Sequence, residues 1–325
     1  MGNTKPRGKA LVLGSLAFDY IMDSPENYYE AMSIKHDKKE IQGTFMSVKK
    51  VVHFGGTAGN IAYSMALMGG KPIVAGCVGK DFAALGYEEH MKKTGVDLRV
   101  DCIDHDSSAS CYIFNDVKKN QITVFHGGAL NCSEQLDLEN IVKKSDNVQI
   151  AINAPNNMAA MAKFSRQLVK MGIPAIFDPG QVLNALTPDQ FTEILANSQA
   201  FISNEHELEG VTKRFGQAAR DAIDKLDWVI TTRGSSGSTI KVKGKVIELP
   251  IAKAKSVVDP TGAGDSFRGA LLYGITMGLD VVQSAKLGVV IGSLKVEHAG
   301  GQLPSLDAKE FKKRYKDTFG EDAPI

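Results

Sequence analysis

Asp259-Pro-Thr-Gly-Ala-Gly-Asp265 runs straight into Ser266-Phe-Arg-Gly-Ala-Leu-Leu272. The stretch reads as a small-residue loop that opens a helix. Phe267, Ala270, Leu271 and Ile275 recur at i, i+3, i+4 and i+8, the spacing of a buried stripe, and Gly278 supplies a stop. Gly262, Ala263 and Gly264 leave backbone N–H groups unshielded at the positive end of that helix, which is how a chain receives an anion. Asp265 stands at the same spot. A carboxylate there repels a phosphate unless it takes a proton from a group lying between the two. Ordinary capping explains an Asp in a first helical turn equally well, so the loop by itself leaves both readings open.

Outward from this loop, short apolar runs alternate with helical patterns. Ala10–Leu13, Pro72–Val78, Val148–Asn153, Ala175–Asp178, Ala200–Ser203 and Trp228–Thr232 read as strands. Helical patterns fall near Gly59–Met68, Ala83–Thr94, Met158–Met171 and Phe215–Leu226. Such alternation predicts an α/β fold with a mostly parallel sheet covered on both faces and ligands beyond the C-terminal strand ends. The ligand-bearing tips are then Gly14-Ser15, Asn153-Ala-Pro155, Asp178-Pro-Gly180, Asn204 and Thr232-Arg-Gly234. Two stretches break the alternation. Asp97–Ala129 reads as the strands Leu98–Ile103, Ser110–Phe114 and Gln121–Phe125, and Phe18–Val52 is irregular and polar. Together, as residues 18–52 and 98–127, they predict a small β-sheet lid on one domain spanning 1–325.

Of 325 residues 43% are hydrophobic, enough for a large core, and 38 basic against 37 acidic side chains leave a net charge of +1. That balance argues against nucleic-acid or acidic-membrane partners. The basic clusters Lys5–Lys9 and Lys312–Lys316 read as solvated ends. Cys77, Cys102, Cys111 and Cys132 show no paired spacing and read as reduced thiols. The apolar run Ala10–Leu13 is short for a signal peptide, and no run approaches a membrane span. The expected setting is cytoplasmic.

A second glycine loop, Gly55-Gly-Thr-Ala-Gly-Asn60, opens the apolar helix Ile61–Met68. Asn60 carries both a donor and an acceptor, which suits a sugar hydroxyl. With Gly69 and Gly79, this loop resembles the N-terminal signature of the PfkB (ribokinase-like) carbohydrate kinases. Asp259–Asp265 with Gly269-Ala270 resembles the C-terminal one. Asn204-Glu-His-Glu207 is similar to the family's N-x-x-E motif and Thr232-Arg-Gly234 to its nucleotide-side loop. The resemblance runs from about Lys9 to Leu306. Within the family, Gly14–Asp23, Asn120–His126, Asp178-Pro-Gly-Gln181 and Val296–Gln302 look most like bacterial and archaeal adenosine kinases. One departure lies in His126-Gly-Gly-Ala129, which has Gly where the resemblance leads one to expect Pro.

The resemblance implies a three-layer αβα sandwich and ATP-dependent phosphorylation of the 5′-hydroxyl of a nucleoside, adenosine to AMP, a purine-salvage step. It implies Asp265 as base, with the Gly262, Ala263 and Gly264 N–H groups as anion hole. Asp19, Gly55, Gly56 and Asn60 would hold ribose, with Phe125, Phe18 or Tyr112 flanking the base or forming small-sheet core. Asn204, Thr232, Gly234, Gly237 and His298 would line the nucleotide side. Asn204 and Glu207 would hold Mg²⁺ through water, though the same pair makes a capping box. The resemblance also implies a monovalent cation such as K⁺ near the anion hole, held mainly by backbone carbonyls, and a homodimer through the lid edge. The chain has no G-x-x-x-x-G-K-[ST] phosphate loop. A ribokinase- or fructokinase-type sugar kinase and a non-catalytic nucleoside-binding module remain as alternatives.

Overall fold

Strands that are apolar on both faces need cover on both faces, and the chain provides it. In the computed structural model, which describes residues 6–35 and 40–325, the main sheet has nine strands. In spatial order they are Lys245–Leu249, Ser238–Val242, Trp228–Thr232, Ala200–Asn204, Ala175–Phe177, Val148–Asn153, Lys9–Leu13, Pro72–Gly79 and Asp97–Ile103. From Trp228–Thr232 to Asp97–Ile103 all neighbours are parallel, and the hairpin Ser238–Leu249 adds the antiparallel edge.

Alternation along the central strand sorts its side chains between two layers. Ala10 and Val12 pack with Ile61 and Met65 of the Thr57–Leu67 helix and with Ala270 and Leu271 of the Ala263–Met277 helix. Leu11 and Leu13 pack on the opposite side with Ala160, Phe164 and Leu168 of the Met158–Met171 helix. Strand order reverses at Lys9–Leu13, which lies between Pro72–Gly79 and Val148–Asn153. Sheets of this kind open a crevice beyond the strand ends at that point. There Ala154 N donates to Leu13 O at 2.9 Å and Ser15 N to Pro155 O at 3.0 Å.

A second sheet, ordered Lys49–Gly55, Ala17–Asp23, Ala109–Asn115 and Gln121–His126, forms the lid. Its outer pairs are antiparallel and its central pair is parallel. One strand expected in the lid lies elsewhere. Leu98–Ile103 pairs in parallel with Pro72–Gly79 as the edge of the main sheet. The helix Tyr87–Thr94 makes the crossover a parallel pair requires, so the segment closes a βαβ unit rather than opening a hairpin series. Of the expected lid span, residues 36–39 lie outside the described residues, as does Lys5 of the N-terminal basic cluster. Two expected helices divide at glycines. Ala83–Thr94 becomes Asp81–Ala84 and Tyr87–Thr94, and Phe215–Leu226 falls on the end of Glu205–Phe215 and on Gln217–Ile223.

Candidate active site

The Ala263–Met277 helix starts at Gly262, whose φ is 73°. A Cβ there would lie 2.1 Å from Gly301 O, so the turn admits glycine alone. Gly264 N–H has no hydrogen-bond partner among the described residues, as the second residue of a helix requires. Ala263 N–H, expected to face an anion, instead donates to Pro260 O at 3.2 Å because the turn closes on itself. Asp259 ties the loop down, its carboxylate accepting from Thr261 N at 2.9 Å and Gly300 N at 2.8 Å. Burial pushes the Asp259 carboxyl up, but these bonds and the Lys295 charge outweigh it and hold the group below its ordinary range.

Asp265 sits in the first turn, and its Oδ2 accepts from Asn60 Nδ2 at 2.9 Å. Burial pushes this carboxyl up to about 6, against the opposing pull of Arg268 and Asn60. Asn60 Oδ1 is buried with no partner among the described residues, leaving an acceptor for a ligand hydroxyl. The helices carrying these residues cross closely. A Cβ on Gly269 would lie 2.5 Å from Ile61 O, and Ser64 Oγ donates to Ser266 O at 3.2 Å. Tyr87, fully buried, donates to Gly55 O at 2.7 Å and props the Gly55–Asn60 loop.

Asp19 reaches the same place from the lid. A Cβ on Gly55 would stand 2.3 Å from Asp19 Oδ2, so glycine is what lets the carboxylate lie against the loop. Gly56 caps the helix of Asn60. Burial, with the Asp265 and Asp259 charges behind it, pushes the Asp19 carboxyl up to about 7. His53, Asp19, Cys111 and Phe125 are register partners across the four lid strands and so share one face. Phe125 is half-exposed on that face. Phe18 is buried beneath the lid, edge-on to Phe54 and Tyr87, and Tyr112 stacks on Tyr20 at 5.1 Å. Both therefore act as packing.

A cavity of about 620 Å³ opens from Gly262–Asp265 and is lined by Asn204, Glu207, Thr232, Gly234 and Gly237. The structure thus gathers the Asp259–Asp265 loop and the expected nucleotide side into one space. Asn204 and Glu207 make the capping box, Asn204 N to Glu207 Oε2 and Glu207 N to Asn204 Oδ1, both at 2.8 Å. Burial raises the Glu207 carboxyl, opposed by the bond from Asn204. His298 is exposed and does not line this cavity; it contributes its carbonyl to Lys295. Phe125 does not line it either.

Residue spacing missed three groups. Arg268 donates to both oxygens of Asp178, at 2.5 and 2.9 Å, in a buried pair beside Asp265. Tyr87 supports Gly55 across 32 residues of sequence. Lys295 is a fully buried cation behind the loop. The only signal for it is a lysine ending the apolar helix Val281–Lys295.

The model of the pfkB family of carbohydrate kinases matches residues 9–309. The chain belongs to that family. Among the family's members, a nucleoside kinase of Methanocaldococcus jannaschii is 33% identical over 260 residues, 78% of this chain and 83% of that one. A solved nucleoside kinase structure from that organism has a TM-score of 0.84 at 27% identity, covering 96% of this chain and 99% of the other. A Burkholderia thailandensis nucleoside kinase in complex with inosine has a TM-score of 0.80 at 30% identity, with the same coverages. The fold is the ribokinase one, a three-layer αβα sandwich with a small lid sheet. Among the described residues no helix is long and apolar enough to cross a membrane.

Proposed function

We propose that the chain transfers the γ-phosphoryl group of ATP to the 5′-hydroxyl of a nucleoside, adenosine first among them, giving AMP in purine salvage. The carrying observation is the buried Asp265 carboxylate, placed between Asn60 with its unpartnered acceptor and a helix N-terminus that opens on the cavity. Phosphoryl transfer demands alignment and charge stabilisation more than covalent help. In this reading Asp19, Asn60 and the Gly55-Gly56 backbone hold the ribose hydroxyls, and Phe125, in register with Asp19, flanks the base. Asp265 accepts the 5′-hydroxyl proton as the oxygen attacks. The Gly264 N–H and the positive helix end receive the moving phosphoryl group.

The capping bond occupies Oε2 of Glu207 and leaves Oε1 for the water shell of a cation, so Asn204 and Glu207 fit a hydrated Mg²⁺. When bound, Mg²⁺ offsets charge on the phosphates. The reading treats 1–325 as one cytoplasmic kinase domain. The exposed edge strand Gln121–His126, with Val124 and Phe125 about half-exposed, is the edge through which a homodimer would form, which sedimentation of the purified chain tests.

An acceptor panel decides the function. With ATP and Mg²⁺, adenosine, guanosine, inosine, cytidine, ribose and fructose are compared by kcat/KM. Inosine belongs in the panel because the Burkholderia relative is solved with it. Adenosine is expected to lead. Turnover of ribose or fructose alone overturns the nucleoside reading, and nucleoside binding without turnover of any acceptor leaves the binding module.

A further inference from the structure

Backbone carbonyls gather behind the anion loop. Asp259 O faces it from one side and His298 O from the turn after the Val281–Lys295 helix. The C-terminal end of that helix and the Asp259 carboxylate add negative potential. This is where a monovalent cation held by carbonyls would stand. Both carbonyls are already taken, each accepting from Lys295 Nζ at 3.0 Å. The lysine is 0% exposed, at the end of the helix that also buries Leu294 and Val290. A K⁺ ion therefore does not fit the residues present: its ligands and its charge are both supplied by the side chain.

We infer that Lys295 is a built-in cation, a positioning residue whose ammonium holds the Asp259–Asp265 loop and makes the chain independent of K⁺. The link to Asp265 is short. Lys295 binds the Asp259 carbonyl, the Asp259 carboxylate binds Thr261 N and Gly300 N, and Gly262 packs against Gly301. The ammonium thereby sets the turn from which the Gly264 N–H and Asp265 project. Burial lowers the Lys295 pKa, while the Asp259 and Asp265 charges oppose the fall. Those carboxylates are what retain its charge in a dry position.

The inference rests on the phosphoryl-transfer reading, and its test separates the two. Melting temperature and kcat are measured in potassium, ammonium and choline chloride at equal ionic strength. Wild type is expected to be indifferent to the choice of cation in both. Lys295→Ala should lose about 10- to 100-fold in kcat in choline, the usual cost of a supporting group behind a catalytic one, with a smaller change in nucleoside KM. Potassium or ammonium should restore part of that loss and raise the variant's melting temperature. Lys295→Met, which fills the space without charge, should lose kcat and recover nothing. Wild-type dependence on K⁺, in kcat or in melting temperature, overturns the inference whether or not the variants fold. So does Lys295→Ala with wild-type kcat in choline. A chain inactive on every acceptor defeats the kinase reading alone, since ion-dependent melting still decides the role of Lys295.

Discussion

At Asp265 burial and base strength pull the same way. A carboxyl pushed up to about 6 accepts a proton more readily than an exposed one, yet is still ionised at neutral pH. The expected outcome is a kcat/KM that rises with pH through a limb near 6 and then levels. Asp265→Asn should abolish that limb and cost about 100- to 10,000-fold in kcat, the usual range for a general base, while nucleoside binding persists by calorimetry. Near-wild-type turnover in Asp265→Asn would remove the residue from the role. Asp19 carries a different cost. Its carboxyl rises from 3.8 to about 7 on folding, so the folded state holds the proton more tightly than the unfolded one. The stabilising proton is fully present below the unfolded value and is lost as pH rises through about 7. Asp19→Asn should therefore melt above wild type at alkaline pH, with the gain vanishing in acid. It should also bind nucleoside more weakly, if Asp19 holds ribose. A melting series that is flat with pH would show that the carboxylate is not strained in the free protein.

Between elements, the site depends on two helices that approach closely where Gly269 presents no side chain. Thr57–Leu67 brings Asn60 and Ala263–Met277 brings Asp265, and Gly269 lets Ile61 O approach. Gly269→Val inserts atoms where a Cβ alone would stand 2.5 Å from that carbonyl. It should cost about 1–3 kcal/mol in urea unfolding, as overpacking does, and should lower kcat by stretching the Asn60–Asp265 bond. Unchanged stability would mean that the helices part freely. This crossing was half-legible in sequence. Both glycine loops, the buried stripe after Asp265 and the Asn204/Glu207 capping box are local patterns, legible in the spacing alone. The assignment of Leu98–Ile103 to the lid failed because a short strand's appearance does not specify its partner. Pairing with Pro72–Gly79 is decided by the crossover helix. The two split helices failed for a local reason, since a glycine inside a helical pattern can be tolerated or can break it.

Across the whole molecule, the Asp178–Arg268 pair joins the end of a central strand to the helix that follows the Asp259–Asp265 loop, 90 residues apart in sequence. Removing one partner leaves a charge buried alone. Arg268→Met should cost about 3–5 kcal/mol, and the double variant Asp178→Leu/Arg268→Met should recover most of it, both measured by chemical unfolding with activity followed in parallel. A single variant as stable as wild type would show that water reaches the pair.

The sequence by itself determined the α/β class, the family and the two glycine loops, and it pointed to Asp265 as the candidate base, because each of these rests on spacing within about one helix or strand and its flanking turn. Only the tertiary structure decided what surrounds Asp265. Asp19 from the lid, Asn60 from the neighbouring helix, Arg268 with Asp178, and Lys295 behind the loop converge through long-range packing that no local pattern encodes. Burial is likewise a tertiary property. It turns the Asp at a helix start from a capping residue into a candidate base, and a lysine at a helix end into a fixed counter-charge.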